Sequence, residues 1–428
     1  MRNQYYCFLA VILLSMPFIS CGQNHAKGYY KDIFMNGGIR LTSKRDLPAA
    51  RYMGLSLEKL LSAATKDLTI LDTLNQTRII VGSEIDENGV LLFPDGEPRF
   101  RMIYVNGGLA TQHGRSLGEN GRNAIRKFIS NGGSYVGSCA GAFIVGSYLN
   151  EITPDVHEEY LGIWPGGYGI STRIMDTYTG MLVPNNSPLL KYHDFGGDHF
   201  IDSVYHNNGC YAAKDNIPEG TEILLRYVAD TFNLRQPVHL EASCWAYKNN
   251  EFSGRVIAIG SHPESNCTDE RLDLMAALIK YAMDGNGNPV IKGILKNREP
   301  RIMNLSTHNN NPEFTCIGDR QYHHFCINIP NKISEVVISL NHHKGRDNYD
   351  MHLFAKYNDF AFMDSADFRD ITLGFDKVLK IRNPKAGKLY ISVFCATTVD
   401  IVETFYGTHY TGRTDVLNGV PYTITVNY

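Results

Sequence analysis

A cysteine stands where a short apolar strand turns into a helix. Residues 135–142 read YVGSCAGA, so Cys139 lies between Gly137 and Gly141 and is followed by Ala140. A strand and a helix that meet in so tight a turn bring their backbones together, which only small residues permit. The turn pushes the central side chain out of the sheet and beside the positive end of the helix, which favours a thiolate. This segment, the elbow, therefore predicts an α/β sheet that presents a nucleophilic cysteine.

Around the elbow, short apolar runs alternate with amphipathic stretches from residue 31 to about residue 288. This alternation is typical of a parallel sheet covered by helices. The predicted fold class is α/β, a flavodoxin-like parallel sheet with helices on both faces. Strands are predicted at Lys31–Met35, Arg101–Val105 and Ser134–Gly137, and helices at Pro48–Ala63, Glu119–Ser130, from Ala140, and at Asp269–Met283.

A second domain is expected because 428 residues exceed what one hydrophobic core usually serves. The stretch 284–313, with GNGNP at 285–289 and NNNP at 309–312, has the composition of a linker, and residues 289–314 are predicted as that linker. Beyond them we predict an antiparallel β-sandwich over residues 315–428. Its strand patterns lie at Glu335–Leu340, Asp350–Ala355, Lys388–Phe394 and Tyr422–Val426.

An Asn-Gly-Gly sequence at residues 106–108 follows the predicted strand before the elbow strand. Attack of a thiolate on a carbonyl develops negative charge on oxygen, which backbone N–H donors stabilise. The N–H groups of Gly107, Gly108 and Ala140 are the candidates for this oxyanion hole.

A general base is predicted from residues 261–264, Ser-His-Pro-Glu, which end another apolar strand. Open α/β sheets hold their sites at such strand ends. His262 is the candidate base, and Glu264 is the carboxylate that fixes the tautomer of its ring.

Each of these segments also has a simpler explanation. A buried thiol in a tight turn is the commoner fate of a cysteine, and a His-Pro-Glu sequence is often only a loop. Because strand placement and chain order agree, we favour catalysis by Cys139, His262 and Glu264. The alternative is a non-catalytic binding or scaffold protein that retains the fold.

The elbow, the Asn-Gly-Gly loop and the His-x-Glu segment resemble the class I glutamine-amidotransferase-like superfamily over residues 31–288. Within it the chain is most similar to the N-terminal domain of biotin-protein ligases, on residues 137–142, 162–167 and 204–209. The resemblance implies a cysteine hydrolase of an amide or peptide C–N bond. Ala142 stands where glutamine-hydrolysing members carry Gln, and no synthetase domain follows, which disfavours a biosynthetic glutaminase.

The predicted sandwich resembles the pre-peptidase C-terminal domains of secreted bacterial hydrolases, with residues 383–393 (NPKAGKLYISV) as its most typical segment. This resemblance favours an extracytoplasmic peptidase or amidase acting on a small amide, a peptide or a cell-envelope substrate.

The N-terminus indicates export. The apolar run Phe8–Ile19 is too short for a permanent membrane-spanning helix, so residues 1–21 are interpreted as a signal peptide. Cys21 resembles the lipid-attachment cysteine of bacterial lipoproteins, followed by a tether at 22–30; the alternative is an ordinary cleaved signal with an incidental cysteine. We expect a lipid-anchored protein on the periplasmic or outer-membrane side. A net charge of -3 without a basic run argues against nucleic acid as a partner.

Seven cysteines remain once Cys7 and Cys21 are set aside. Because this number is odd, at least one thiol stays free or pairs between chains, and Cys139 is the candidate for the free thiol. Cys316 and Cys326 flank two histidines, and we expect a disulfide there, with unpaired thiols or a zinc site as alternatives. Possible pairing is left open for the whole set, Cys210, Cys244, Cys267, Cys316, Cys326 and Cys395.

A loop with His193, Asp194, Asp198 and His199 contains metal-ligand types but has neither CxxC nor HExxH spacing. It is interpreted as a pocket wall or a plain loop. No metal and no cofactor are predicted.

Overall fold

The computed structural model describes most of the chain beyond residue 27. The described residues are 28–36, 47–60, 82, 84–147, 158–212, 214–229, 238–307, 311–343, 345, 347–404 and 407–428. The predicted signal peptide and Cys21 lie outside them. Within these ranges, no helix combines the length and the hydropathy needed to cross a membrane.

The N-terminal part folds around one large mixed sheet. Five adjacent strands are parallel, in the order β2-β1-β3-β4-β11, and β10, β9, β6 and β7 extend the sheet in antiparallel fashion. The predicted α/β class is thereby confirmed, with an antiparallel extension that was not predicted. The strands are β1 (Lys31–Asn36), β2 (Leu57–Leu60), β3 (Phe100–Val105), β4 (Ser134–Ser138), β5 (Gly169–Ser171), β6 (Thr177–Leu182), β7 (Phe200–His206), β8 (Cys210–Ala212), β9 (Glu222–Val228), β10 (Ala242–Tyr247) and β11 (Val256–Ile259).

Helices cover both faces of this sheet. On one face Val136 packs in a buried cluster with Ala49 and Leu274, and on the other Tyr135 packs in a cluster with Phe128. Successive residues of β4 thus serve opposite faces, as the alternation of side chains along a strand requires. The α-helices are α1 (Pro48–Tyr52), α2 (Ala110–Ser130), α3 (Ala140–Phe143) and α4 (Asp269–Met283).

Three helix predictions differ in length from the structure. The predicted helix Glu119–Ser130 is part of the longer α2, which begins at Ala110 and has Gly118 at a non-helical φ of 61° and ψ of -179°. The helix predicted at Pro48–Ala63 ends at Tyr52, because Gly54 takes a φ of +66° and its N–H bonds back to the carbonyl of Arg51 at 3.0 Å. The chain then forms β2, which pairs with β1. The helix predicted from Ala140 has only four residues, so its dipole contributes less than expected to the elbow.

The C-terminal part is a β-sandwich, as predicted. One sheet has the order β12-β14-β19-β16-β17, the other has the order β13-β22-β15-β18, and β20 pairs with β21. The strands are β12 (Ile291–Ile294), β13 (Arg301–Met303), β14 (Tyr322–Ile329), β15 (Glu335–His342), β16 (Met351–Tyr357), β17 (Phe368–Asp370), β18 (Lys377–Arg382), β19 (Gly387–Cys395), β20 (Asp400–Thr404), β21 (Gly407–Thr411) and β22 (Tyr422–Asn427).

The segment predicted as a linker, residues 289–314, contains two of these strands. β12 pairs in parallel with β14, and β13 pairs with β22 near the C-terminus. Short strands with distant partners leave no local pattern in a sequence rich in Asn and Pro. The sandwich therefore begins earlier in the chain than the predicted residue 315.

Buried ion pairs join the two parts, a contact region that we call the seam. Lys292 of β12 places its Nζ 2.8 Å from Oδ2 of Asp95, and His323 approaches the same oxygen at 3.3 Å. Arg99 of the α/β part lies 3.3 Å from Asp319 of the sandwich. All five side chains are almost completely buried.

The disulfide expected between Cys316 and Cys326 does not form. Cys316 packs against Gly419 and the carbonyl of Met303, on the side of β13, whereas Cys326 lies in β14 of the other sheet. The seven cysteines of the described ranges, Cys139 among them, are buried thiols. The neighbouring His324 is buried and hydrogen-bonds to Ser392 Oγ at 2.7 Å.

Candidate active site

Three neighbouring parallel strands deliver the candidate residues to one edge of the sheet. β3 ends at Val105, which lies opposite Gly137 of β4, and Ser138 of β4 lies opposite Ile259 of β11. The residues that follow these strands, 106–108, Cys139 and 260–264, therefore meet at the carboxyl ends of the strands, where open α/β sheets hold their sites.

Cys139 occupies a strained turn. Its backbone has φ 49° and ψ -105°, a region that residues other than glycine rarely adopt. A Cβ on Gly137 would lie 2.3 Å from the carbonyl oxygen of Gly141, and one on Gly141 would lie 2.2 Å from that of Val105. The small residues of the elbow are thus required by backbone contact, as the sequence indicated.

His262 lies between Cys139 and Glu264. Its Nδ1 is 3.0 Å from Oε1 of Glu264, and its ring is close enough to the Cys139 thiol for the two groups to interact electrostatically. Since Nδ1 faces the carboxylate, Nε2 is the nitrogen available to the sulfur. The backbone N–H of His262 donates to the carbonyl of Tyr205 at 2.8 Å, which fixes the loop that carries it.

The electrostatics of this trio favour a charged imidazole. Burial opposes protonation of His262, but hydrogen bonds and charge from Cys139 and Glu264 outweigh it and raise the pKa of His262 to about 10. Burial likewise disfavours the charged form of Glu264, but its hydrogen bonds and the charge of His262 keep the pKa of this carboxyl below its usual value. His262 is therefore positioned to donate a proton as well as to accept one.

Two buried hydroxyl groups behind Glu264 were not anticipated from the sequence. Ser138 Oγ donates to Glu264 Oε1 at 2.8 Å, and the hydroxyl of Tyr104 donates to Ser138 Oγ at 3.1 Å. Ser138 directly precedes the predicted nucleophile, but neither residue type nor spacing indicates its partner 126 positions later.

The Asn-Gly-Gly loop lies against both catalytic candidates. A Cβ on Gly107 would come within 2.2 Å of His262 Cε1 and 3.2 Å of Cys139 Cβ. Gly108 lines the same cleft, and Ala140 follows the sulfur as the first residue of α3. The three oxyanion-hole candidates are thus brought to the nucleophile, and their role stays a prediction.

A second histidine supports the opposite side of the site. His206 is fully buried; its Nδ1 lies 2.8 Å from Ser261 Oγ, and its Nε2 lies 2.6 Å from Thr172 Oγ1. Burial and the nearby charge of His262 lower the pKa of His206 to about 4, so this ring is neutral near pH 7. Its loop places the Asn207 carbonyl 3.8 Å from the Cys139 sulfur.

The sulfur faces an open cleft of about 860 Å³. This volume is at the upper end of the range for sites that hold small organic ligands. Apolar side chains and neutral amide side chains make up most of the wall. The lining includes Met35, Leu109, Phe143, Tyr160, Met175, Tyr205, Asn106, Asn207, Asn208 and Asn266.

The histidines of the loop considered for metal binding form hydrogen bonds or ion pairs with other protein groups. His193 pairs with Asp273 at 3.3 Å and accepts the N–H of Phe195, while His199 hydrogen-bonds to Asn185 at 3.0 Å. In the part of the chain that the structure describes, no three His, Cys, Asp or Glu side chains are grouped to hold a metal ion.

The elbow, the glycine loop and the His-x-Glu segment on this sheet are the features that suggested a class I glutamine-amidotransferase-like domain. Residues 88–153 match the family model described as "Biotin-protein ligase, N terminal". This match contains the elbow and the Asn-Gly-Gly loop. The resemblance predicted from the sequence is thereby confirmed. Comparison with curated proteins finds no significant match.

Comparison with solved structures finds the following similarities at low identity. A glutamine amidotransferase is 15% identical, with a TM-score of 0.35, over 58% of this chain and 97% of its own. The pre-peptidase C-terminal domain of collagenase from Bacillus anthracis is 10% identical, with a TM-score of 0.19, over 33% of this chain and 100% of its own. A β-galactosidase from Bacillus circulans sp. alkalophilus is 10% identical, with a TM-score of 0.28, over 86% of this chain and 41% of its own.

Proposed function

We propose that this protein is a cysteine hydrolase that cleaves an amide or peptide C–N bond. The observation that carries the proposal is that Cys139, His262 and Glu264 line one cleft of about 860 Å³, with His262 hydrogen-bonded to Glu264 and both His262 and Cys139 lying against Gly107. A nucleophile, a base and a residue that orients the base are the parts that covalent acyl transfer requires.

In the proposed reaction, Cys139 gives its thiol proton to His262. The thiolate then forms a bond to the carbonyl carbon while the π electrons move to the oxygen, which the N–H groups of Gly107, Gly108 and Ala140 stabilise. The tetrahedral adduct collapses, the C–N bond breaks, and His262 gives its proton to the leaving amine. Water then attacks the thioester with His262 as base, which releases a carboxylic acid and restores the thiol.

The wall of the cleft suggests the surroundings of the scissile bond. Met175 and Leu109 are 63% and 45% exposed at the cleft, and exposed apolar side chains at a site are typical of ligand contact. We propose a substrate with uncharged groups beside the amide, such as an acylated peptide.

The test is hydrolysis of a library of N-acylated dipeptide amides, followed by mass spectrometry, with the wild type and Cys139→Ala. We expect hydrolysis that Cys139→Ala abolishes without a change in melting temperature. Cys267→Ala is the matched control, because Cys267 lines the same cleft and its burial raises the pKa of its thiol to about 11. Equal hydrolysis by the wild type and Cys139→Ala would refute the assignment.

The alternative of a binding protein gives a different result. Library members would then raise the melting temperature without being cleaved, and iodoacetamide would alkylate Cys139 no faster than a model thiol at pH 6.5. The hydrolase proposal expects alkylation at least about tenfold faster, since an adjacent imidazolium stabilises the thiolate.

We also propose that the protein is exported and held at the membrane by a lipid on Cys21. The apolar run before Cys21 supports this proposal. Expression with a radiolabelled fatty acid should label the wild type in the membrane fraction and leave Cys21→Ser unlabelled. Label on both proteins, or on neither, would contradict the lipid anchor.

A further inference from the structure

Two hydrogen bonds meet at one carboxylate oxygen in the interior of the α/β domain, and a third supports one of the two donors. The Tyr104 hydroxyl donates to Ser138 Oγ at 3.1 Å, and Ser138 Oγ donates to Glu264 Oε1 at 2.8 Å. His262 Nδ1 approaches the same oxygen at 3.0 Å. An ionised carboxylate only accepts hydrogen bonds and each hydroxyl has one proton, so the direction of this series is fixed toward Glu264.

The series links the three strands that build the site. Tyr104 belongs to β3, Ser138 to β4, and Glu264 to the loop after β11. Tyr104 and Ser138 are fully buried, and a buried hydroxyl without a partner destabilises the folded protein. The Ser138 hydroxyl therefore has its acceptor only while Glu264 stays in place, and Tyr104 in turn holds Ser138.

We infer that Tyr104 and Ser138 are positioning residues of this site, whose hydroxyl groups keep the Glu264 carboxylate ionised and aligned with His262. The inference rests on the proposed function for its catalytic meaning, but the hydrogen-bonded series is testable without a substrate. Neither side chain lines the cleft or contacts the sulfur, so both act through Glu264 and His262.

The ionisable groups that act on Glu264 in the described residues are few. His262 is hydrogen-bonded to Glu264, and Tyr104 reaches Glu264 through Ser138. Cys267, two residues before α4, also interacts electrostatically with Glu264. The cation of His262, the Ser138 hydroxyl and a backbone N–H favour the carboxylate. Removal of a donor should therefore raise the pKa of Glu264, whereas a simple loss of packing should not.

The experiment compares Ser138→Ala and Tyr104→Phe, each of which removes one oxygen atom, with the wild type. The protein is labelled with ¹⁵N-histidine, and the ring signals of His262, assigned by their absence in His262→Gln, are followed as the pH is lowered. In the wild type, a low-pH step reports protonation of Glu264. We expect Ser138→Ala to move this step up by about one pH unit, and Tyr104→Phe to move it less.

Ser134→Ala is the matched control. Ser134 lies at the other end of β4, is equally buried, and donates instead to the carbonyl of Ala282 at 2.7 Å. It should lower stability without moving the His262 step. A folded Ser138→Ala protein with the wild-type step, or the same shift in Ser134→Ala, would overturn the inference.

Failure of this inference is distinct from failure of the hydrolase proposal. If Cys139→Ala abolishes hydrolysis while the His262 step is unchanged in Ser138→Ala, only the positioning role is lost. If no hydrolysis depends on Cys139 but the step moves as expected, the hydroxyl series stands and the hydrolase function falls.

Discussion

Oε1 of Glu264 lies 3.0 Å from Nδ1 of His262, although the two residues are separated only by Pro263. Proline restricts the backbone between them, so the carboxylate and the ring keep their relative positions at a small entropic cost. His262 and Glu264 are close because they are neighbours in sequence. Their alignment with Cys139 depends on the register between β4 and β11.

Glu264→Gln should slow hydrolysis by about 10²- to 10⁴-fold, because the charge that supports proton transfer by His262 is lost while the shape is kept. The pKa of His262 should fall from about 10 toward its ordinary value of 6.5. A ¹⁵N-histidine titration measures this fall. Glu219→Gln, at an exposed position, is the control; equal effects of the two substitutions would contradict the role of Glu264.

Gly107→Ala should abolish rapid alkylation of Cys139 while most of the structure is retained. The added Cβ would lie 2.2 Å from His262 Cε1, so the ring must leave its place between the sulfur and Glu264. The rate of iodoacetamide labelling at residue 139, with circular dichroism as a check on folding, measures the effect. A folded variant with the wild-type labelling rate would show that the loop does not confine the ring.

His206 should make the protein less stable in acid. In the folded protein its pKa is about 4, whereas the unfolded chain takes up the proton near 6.5. The stability from neutral His206 is fully present above about pH 6.5 and is lost as the pH falls toward 4, a loss of at most about 3 kcal/mol.

Urea unfolding at pH 7.5, 6 and 4.5 tests this dependence. His206→Gln should lower the free energy of unfolding at pH 7.5 and flatten its decline with acid. His239→Gln, at an exposed histidine, should keep the wild-type slope. An unchanged slope in His206→Gln would disprove the assignment.

Lys292→Met should destabilise the whole protein by about 3–5 kcal/mol, since it leaves the buried Asp95 and the partly buried Glu97 without their cation. The control is Lys296→Met. Lys296 pairs with Glu299 at 3.2 Å with both side chains mostly exposed, and its loss should cost less than about 1 kcal/mol. Urea unfolding at pH 7 measures both, and a similar cost for the two would refute the importance of the seam.

The parts of the fold that the sequence predicted well are those with a strong local signal. Asp269–Met283 is a helix with the predicted bounds, and it carries acidic residues in its first turn and a lysine in its last. The end of the helix from Pro48 was predicted wrongly because Gly54, at positive φ, ends it. Amphipathic periodicity does not indicate the backbone angle of a single residue. β12 and β13 were missed because their partners, β14 and β22, are distant in sequence.

The candidate site shows the same division. The elbow and the His-x-Glu segment are short local patterns, and the structure brings their residues together. Ser138 and His206 could not be assigned roles from the sequence, because their partners Glu264 and Ser261 approach only when the sheet has formed. The role of a buried polar residue depends on its tertiary contacts, which the local sequence does not show.

The seam also determines how the chain can be divided. The chain passes from the α/β domain into the sandwich within a few residues of Asn288. β12, the first strand of the sandwich, contains Lys292, which pairs with Asp95 of the α/β domain. A protein fragment that ended at residue 288 would contain Asp95 but not Lys292, the counter-ion of its buried carboxylate. The two halves should therefore melt in a single transition, and recombination between related genes would have to move Asp95 and Lys292 together.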